Sequence, residues 1–211
     1  MAHFPSPTWL SATEDFGIRK VASLMPVEST DSNAVEVDGI RFETAIPERV
    51  WRIPENKPGV ATSVQLGISV TNNTSNPLYF SFYNYMLPEL VKSDGQSLLS
   101  GGGSNRMPYP IESDFLLVRP GERVTHFREA KLFWNENQLL FGSHNSRVSL
   151  RLGTWVYQDI KPGSYYIRFN YSNREPQATY YKPETKQPIR LEGIWTGRVT
   201  TPFIDIRLVN P

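Results

Sequence analysis

Hydrophobic and polar residues alternate most regularly between residues 64 and 71, where the sequence is VQLGISVT. Val64, Leu66, Ile68 and Val70 share one face at period two, which is the period of a β-strand. The next six residues, 72–77, are Asn-Asn-Thr-Ser-Asn-Pro, a composition that favours turns. The pattern therefore predicts a core strand that ends in a turn.

A second strand is expected directly after this turn, over residues 78–86. One face of this strand is apolar and consists of Leu78, Phe80, Phe82 and Met86. The other face carries a row of three tyrosines, Tyr79, Tyr83 and Tyr85. The strand is therefore expected to bury its phenylalanines and to present its tyrosines on the opposite side.

Further apolar runs of strand length follow one another with turn residues between them. These strands are expected at 35–42, 50–53, 114–118, 122–133, 148–156, 165–171 and 202–209. Pro120-Gly121 and Pro162-Gly163 separate consecutive runs, and Pro-Gly is typical of turns. With about nine strands and no useful helical periodicity, the chain is predicted to be all-β, an immunoglobulin-like antiparallel β-sandwich.

The strand signal begins at Val35, which sets the expected domain organisation. Residues 1–34 are predicted to form a partly irregular N-terminal arm, and residues 35–211 a single sandwich domain. A chain of 211 residues is long enough to bury about 70% of its unfolded surface in one core. The longest stretch without any period is residues 100–110, which is predicted to be a loop.

Four short motifs occur in the order of a known family. They are Val70-Thr71-Asn72-Asn73, Asp94-Gly95, Pro120-Gly121-Glu122 and Pro162-Gly163-Ser164-Tyr165. Over roughly residues 60–170 the chain resembles the bacterial immunoglobulin-like sandwich of the Bacillus intracellular proteinase inhibitor type. The resemblance implies the sandwich fold and suggests protease inhibition. It also places Tyr165 where a tyrosine corner would lie, with its hydroxyl bonded to nearby backbone.

Composition narrows the classes of partner. Lys and Arg total 22 against 21 Asp and Glu, so the net charge of +1 predicts no nucleic-acid partner. No apolar run approaches about 18 residues, so no membrane partner is expected. The chain has no cysteine, and its first residues lack the pattern of a signal peptide, which together favour a cytoplasmic location.

Nothing in the sequence assembles a reaction centre. The three histidines, His3, His126 and His144, do not have the spacing of a metal-binding pair, so no metal is expected. His126 is interpreted as a residue on the sheet surface. Neither a nucleophile motif nor a phosphate-binding glycine loop is present, so the chain is predicted to be no enzyme and to use no cofactor.

Two features remain as candidate binding sites. One is the tyrosine row, Tyr79, Tyr83 and Tyr85, unless the arm or the other sheet covers these rings. The other is the 100–110 loop, in which Arg106 and Tyr109 are residue types enriched at binding hot spots. The favoured interpretation is a non-catalytic module that binds a protein partner.

Two alternatives stay open. In the first, the 100–110 loop inhibits a protease, with Arg106 in an acidic specificity pocket. In the second, the chain binds carbohydrate, with Tyr83, Tyr85 or Trp195 as stacking platforms. The sequence leaves the identity of the partner and the oligomeric state open.

Overall fold

The protein is an all-β sandwich. A computed structural model of the chain describes residues 33–83, 86–101, 109–143, 155–182, 185 and 187–211. Within these residues there is no α-helix, and one 3-10 turn lies at Glu112–Asp114. No helix in this part of the chain is long and apolar enough to cross a membrane. The expected N-terminal arm lies almost wholly outside the described residues.

The described residues form sixteen strands, numbered here in chain order. They are β1 (Ala34–Val37), β2 (Ile40–Ala45), β3 (Val50–Arg52), β4 (Ala61–Asn72), β5 (Leu78–Ser81), β6 (Met86–Lys92), β7 (Ser100–Gly101), β8 (Phe115–Val118), β9 (Arg123–Asn135), β10 (Gln138–Gly142), β11 (Val156–Tyr157), β12 (Gly163–Asn173), β13 (Gln177–Tyr181), β14 (Pro188–Glu192), β15 (Gly197–Thr200) and β16 (Ile204–Val209).

Two sheets form the layers of the sandwich. The first has the order β1-β2-β4-β9-β10-β11-β7. In the second, β12 pairs with β6 along one side and with β16 and β15 along the other, and β3 lies beyond β16. Two smaller pairs, β5 with β8 and β13 with β14, complete the described strands. Apart from β3 and β16, which run parallel, these strand pairings are antiparallel.

The main core lies between the two sheets. Apolar residues that alternate along the strands form it. Val64, Leu66, Ile68 and Val70 are all buried, as their spacing predicts. Across the core, the ring of Phe42 on β2 lies 5.9 Å from the ring of Tyr171 on β12, measured between centroids. Polar groups also join the layers, since Tyr157 of β11 donates a hydrogen bond to the carbonyl of Pro88 in β6.

Both Pro-Gly dipeptides lie where one strand gives way to the next. Gly121, between β8 and β9, has a φ of 74°, which a residue with a side chain rarely adopts. Its turn is closed by a hydrogen bond from the amide of Glu122 to the carbonyl of Arg119. Pro162-Gly163 leads from β11 in the first sheet to β12 in the second. The expected turn at Pro120-Gly121 is therefore confirmed, whereas Pro162 lies in a bend and Gly163 is already the first residue of β12.

One predicted strand is wrong. Residues 78–86 do not form one strand. They contain the whole of β5, which ends at Ser81, and the first residue of β6, which is Met86. β5 pairs with β8, whereas β6 pairs with β12 in the second sheet. The apolar face still faces inward, since Phe80, Phe82 and Met86 are fully buried. The apolar alternation therefore continues through the segment between β5 and β6, where the chain leaves the β5–β8 pair and enters the second sheet. We call this segment the crossing.

The hydroxyl of Tyr165 lies where the family resemblance implies a tyrosine corner. It donates a hydrogen bond of 2.9 Å to the carbonyl of Lys161 and accepts one of 3.0 Å from the amide of the same residue. The ring is buried, whereas the ring of the next residue, Tyr166, is exposed on the outer face of the second sheet. The hydroxyl thus fixes the segment that leads from Lys161 into β12.

We expect Tyr165→Phe to lower the free energy of unfolding by about 1 to 2 kcal/mol, because both of its hydrogen bonds to Lys161 are lost. Tyr166→Phe is the matched control and should change stability by less than about 0.5 kcal/mol. Urea denaturation of the three proteins measures both values. Equal stabilities for the two variants would contradict the role of the Tyr165 hydroxyl.

Candidate functional site

A groove of about 240 Å³ opens beside the end of β12, and we call it the tyrosine groove. Its base is built from Asn173, the last residue of β12, which is buried. The Nδ2 atom of this side chain donates to the carbonyls of Trp195 and Glu175, at 2.7 and 3.0 Å. Its Oδ1 atom accepts a hydrogen bond from the amide of Glu175. The lining residues are Ser81, Tyr83, Pro110, Phe115, Asn173, Glu175, Gln177, Ala178, Thr179 and Ile194.

The β13–β14 hairpin forms one wall of the tyrosine groove. The inner face of the hairpin packs on a second hydrophobic cluster, separate from the main core. That cluster consists of Phe115, Tyr180 and Ile194, with Tyr79, Ala178, Ile189 and Leu191 packed against it. The outer face of the hairpin carries Thr179 and Tyr181, which are exposed. Because side chains alternate along β13, one face of the hairpin packs on the second cluster and the other face is exposed.

Two tyrosines belong to the segments that line the groove: Tyr109 directly precedes the lining residue Pro110, and Tyr181 lies two residues after the lining residue Thr179 on β13. We call these two tyrosines the rim of the groove. Tyr109 is 75% exposed and Tyr181 is 38% exposed. Their ring centroids lie 5.2 Å apart, edge to face, which is a favourable arrangement of aromatic rings. The amide of Tyr181 also donates a hydrogen bond to the carbonyl of Pro110. The pair is therefore joined through both its backbone and its rings.

Asp114 holds the segment that carries Tyr109. Its Oδ2 atom accepts a hydrogen bond of 2.8 Å from the amide of Ile111, and its own amide donates to the carbonyl of Ile111. The carbonyl of Asp114 accepts a hydrogen bond from the amide of Phe82, just beyond the end of β5. One buried residue thus fixes the positions of both Tyr109 and the chain that leads to Tyr83.

A buried guanidinium holds the crossing between β5 and β6. Arg128, on the inner face of β9, donates hydrogen bonds to the carbonyls of Phe82 and Met86, at 2.7 and 3.1 Å. Burial lowers the pKa of Arg128 to about 10 and the nearby carboxylate of Asp114 opposes this shift, so the side chain stays charged at neutral pH. The carbonyl of Phe82 is therefore tied to the first sheet, although β6 belongs to the second.

His126 lies beside Arg128 and not on the sheet surface, so that interpretation of the sequence is wrong. Its ring stacks on Phe82, with centroids 4.3 Å apart and an angle of 10° between the planes. Its Nε2 atom is buried and has no hydrogen-bond partner in the described part of the chain. Burial, together with the charge of Arg128, lowers the pKa of His126 to about 4. The imidazole is therefore neutral at pH 7 and enclosed by its neighbours.

The structure brings together only part of the predicted site. Tyr83 lines the tyrosine groove, and Tyr109 directly precedes the lining residue Pro110 and contacts Tyr181. Tyr79 is half-buried against the second cluster, so it belongs to a wall of packed residues and not to an open row. Tyr85 and Arg106 lie outside the described residues. Trp195 was wrong as a stacking platform, because it is 6% exposed and its ring lies 5.1 Å from that of Phe42.

The β13–β14 hairpin, and with it Tyr181, was not predicted from the sequence. A signal for it exists, because the apolar residues Ala178 and Tyr180 alternate with polar ones before a turn-rich segment, and Ile189 and Leu191 alternate after it. The pairing of Ala178 with Leu191 and of Tyr180 with Ile189 follows from that pattern. The pattern does not predict that Tyr181 contacts Tyr109.

Within the described residues, no group of three or more His, Cys, Asp or Glu side chains is placed to hold a metal ion. The tyrosine groove can bind a ligand or partner through hydrogen bonds and aromatic contacts. Its polar side chains both donate and accept hydrogen bonds, and its rim has two amphipathic rings. The fold and this site together define a β-sandwich protein with an aromatic-rimmed groove.

No protein-family model matches the chain, and no curated protein matches it. A solved structure of a proposed lipoprotein, YcdA, from Bacillus subtilis is similar, with a TM-score of 0.29 and 10% sequence identity. The similarity covers 77% of this chain and 39% of that chain, so this chain spans well under half the length of that protein. A similarity at this TM-score supports no inference about function.

We expect Arg128→Met to lower the free energy of unfolding by about 3 kcal/mol. The substitution leaves the carbonyls of Phe82 and Met86 without their partner and removes the charge that faces Asp114. Arg123→Met, on the same strand, removes an exposed arginine that pairs with Glu43 and should cost less than about 1 kcal/mol. Urea denaturation compares them, and similar losses for both would contradict the bridging role of Arg128.

The pKa of His126 predicts a loss of stability in mild acid. Above about pH 6.5 the imidazole is neutral in both states. Between about pH 6.5 and 4 only the unfolded chain binds the proton, so stability falls by up to about 3 kcal/mol as the pH falls. His126→Phe should keep the stacking on Phe82. From pH 7 to 4.5, the free energy of unfolding of this variant should fall by about 2 to 3 kcal/mol less than that of the unchanged chain. Parallel slopes for the two proteins in urea denaturation would refute this.

Proposed function

We propose that this chain is a non-catalytic binding module whose partner is a protein, and that the partner binds at the tyrosine groove. The observation that carries the proposal is the exposed pair of Tyr109 and Tyr181 at the rim of the groove. Exposed tyrosine is enriched at protein interfaces because the ring gives a large apolar contact and the hydroxyl finds a polar partner. Here hydrogen bonds hold the chain segments that carry both rings, so binding costs little additional conformational entropy of the backbone.

The size of the groove favours a protein over a small ligand. Its volume of about 240 Å³ is below the range of about 300 to 1,000 Å³ that is typical of small-molecule sites. Hot spots of protein interfaces, in contrast, consist of an anchor side chain inserted into a small pocket surrounded by weaker contacts. The groove suits one anchor of a partner, and the tyrosine pair suits the contacts around it.

The outer edge of β14 is a weaker candidate for the same role. Within the described strands, β14 pairs only with β13, which leaves its outer edge open. However, β14 begins with Pro188, and it carries the exposed ion pair of Arg190 and Glu192. Proline and charged side chains on an edge strand oppose the addition of another strand. Recognition through side chains at the groove is therefore the better supported mode.

The proposal predicts that a photo-reactive benzoylphenylalanine at position 181 forms covalent adducts with one protein in host cells, because it replaces an exposed ring at the rim. The same residue at position 166 is the control, since Tyr166 is exposed to a similar degree, 43%, on the outer face of the second sheet. Mass spectrometry identifies the adducts. Adducts formed equally at both positions would indicate random contact and refute the proposal.

The partner found in this way is then tested for affinity. We expect Tyr109→Ala and Tyr181→Ala each to weaken its binding by about 2 kcal/mol, near 30-fold, as hot-spot residues do. Tyr166→Ala should bind like the unchanged chain. Isothermal titration calorimetry gives the values, and circular dichroism shows that the variants are folded. Unchanged binding by both groove variants would exclude the tyrosine pair as the binding surface.

A further inference from the structure

A second and larger groove lies at the other end of β12. Its volume is about 700 Å³, within the range of sites that enclose a small ligand. Lys161 and Pro162 line it just before β12 begins, whereas the tyrosine groove lies where β12 ends, at Asn173. A strand of eleven residues spans about 33 Å, so the two grooves are separate sites. We call this one the tryptophan groove.

Trp134 supplies the tryptophan groove with an aromatic ring. It lies near the end of β9, is half-buried, and donates a hydrogen bond of 2.8 Å from its Nε1 atom to the carbonyl of Pro54. That bond uses the only polar atom of the ring and fixes its orientation. The other tryptophans of the described residues, Trp51, Trp155 and Trp195, are all buried. Trp134 is thus the one described tryptophan that borders a groove with part of its surface in solvent.

The polar side chains around this ring are mostly amides. The amides that line the tryptophan groove are Asn56, Asn135, Asn137, Gln138 and Asn210. The Nε2 atom of Gln138 donates a hydrogen bond of 3.1 Å to Oδ1 of Asp159. An amide both donates and accepts, and a carboxylate accepts. A hydroxyl group also does both. The lining is therefore complementary to a ligand that carries many hydroxyl groups.

The charge of the lining disfavours one large class of ligand. Three carboxylates, Glu55, Glu136 and Asp159, and one ammonium group, Lys161, line the tryptophan groove, and Glu55 also forms an ion pair with Lys57. The excess of negative charge opposes phosphate, sulfate and uronic acid groups. A neutral ligand meets no such repulsion.

The backbone at the rim of the groove is unusual as well. Glu136 and Asp159 have φ values of 54° and 56°, in the left-handed region that residues with a side chain rarely adopt. Three non-glycine residues of the described chain have positive φ, and these are two of them. Glu136 adopts this conformation in the two-residue turn between β9 and β10, where a tight hairpin requires it, and Asp159 adopts it between β11 and β12. Here they place two carboxylates at one groove.

We propose that the tryptophan groove binds a neutral oligosaccharide, with one sugar ring stacked on Trp134 and its hydroxyl groups bonded by the amides of Asn137 and Gln138. The C–H groups of a sugar face match the electron-rich face of the indole ring. The neighbouring amides and carboxylates then exchange hydrogen bonds with the hydroxyl groups at the edge of the same sugar. This site is independent of the protein partner proposed for the tyrosine groove.

Intrinsic fluorescence tests the proposal, because Trp134 is the described tryptophan that a ligand in this groove would touch. The full chain is titrated with gluco-, xylo-, manno- and chito-oligosaccharides up to about 10 mM, the weak end of specific recognition. We expect one series to change the emission saturably. Trp134→Phe should abolish the change in emission and weaken binding severalfold, as measured by calorimetry. Absence of saturable binding for every series would overturn the proposal.

Two further variants locate the binding. Asn137→Ala combined with Gln138→Ala changes surface amides and should weaken binding at least about tenfold, equivalent to 1.4 kcal/mol. Gln177→Ala removes an exposed amide of the tyrosine groove and should leave the affinity unchanged within about twofold. Thermal melting shows whether each variant is folded. Binding that survives the double change, or that is lost in Gln177→Ala, would overturn the assignment to the tryptophan groove without bearing on the protein partner.

Discussion

The buried guanidinium of Arg128 is the interaction on which the arrangement of this sandwich depends. Between Phe82 and Met86 the chain leaves the short β5–β8 pair and enters the second sheet, and both carbonyls at this crossing need a donor. Arg128 is a residue of the first sheet, so its two hydrogen bonds tie the crossing to the opposite layer. A buried charge is tolerable only with such partners and a nearby carboxylate, here Asp114. The same Asp114 positions Tyr109, so the core network and the tyrosine groove share one residue.

The long strand β12 organises the two surfaces that we propose for binding. Each lies at one end of it, and each combines an anchored aromatic ring with polar side chains from loops or hairpins. Their chemistry differs, because the tyrosine groove is small with two rings at its rim, whereas the tryptophan groove is larger and rich in amides. Rigid strands with functional groups at their ends are a common arrangement, since loops tolerate variation while the sheets keep their geometry.

Sequence reasoning succeeded where the relevant physics is local and failed where it is not. The alternation over residues 64–70, the turn at Pro120-Gly121 and the hydrogen bonds of Tyr165 were all expected, because each depends on a few neighbouring residues. The single strand over 78–86 was wrong, because alternation persists through a crossing that breaks the pairing. His126 was also misjudged. Its strand exposes one face and buries the other, and the sequence near Phe127 does not show which face meets the second layer.

The sequence by itself determined that this chain is all-β and which of its residues face inward along each strand, because side chains alternate along any extended backbone. Only the tertiary structure decided which strands pair, where the charge of Arg128 is buried, and that Tyr109 and Tyr181 meet next to residues that line the same groove as Tyr83. Those residues lie far apart along the chain, and their approach depends on sheet pairings with large sequence separation. The energy that selects such pairings comes from packing between layers, which no local pattern of residues contains.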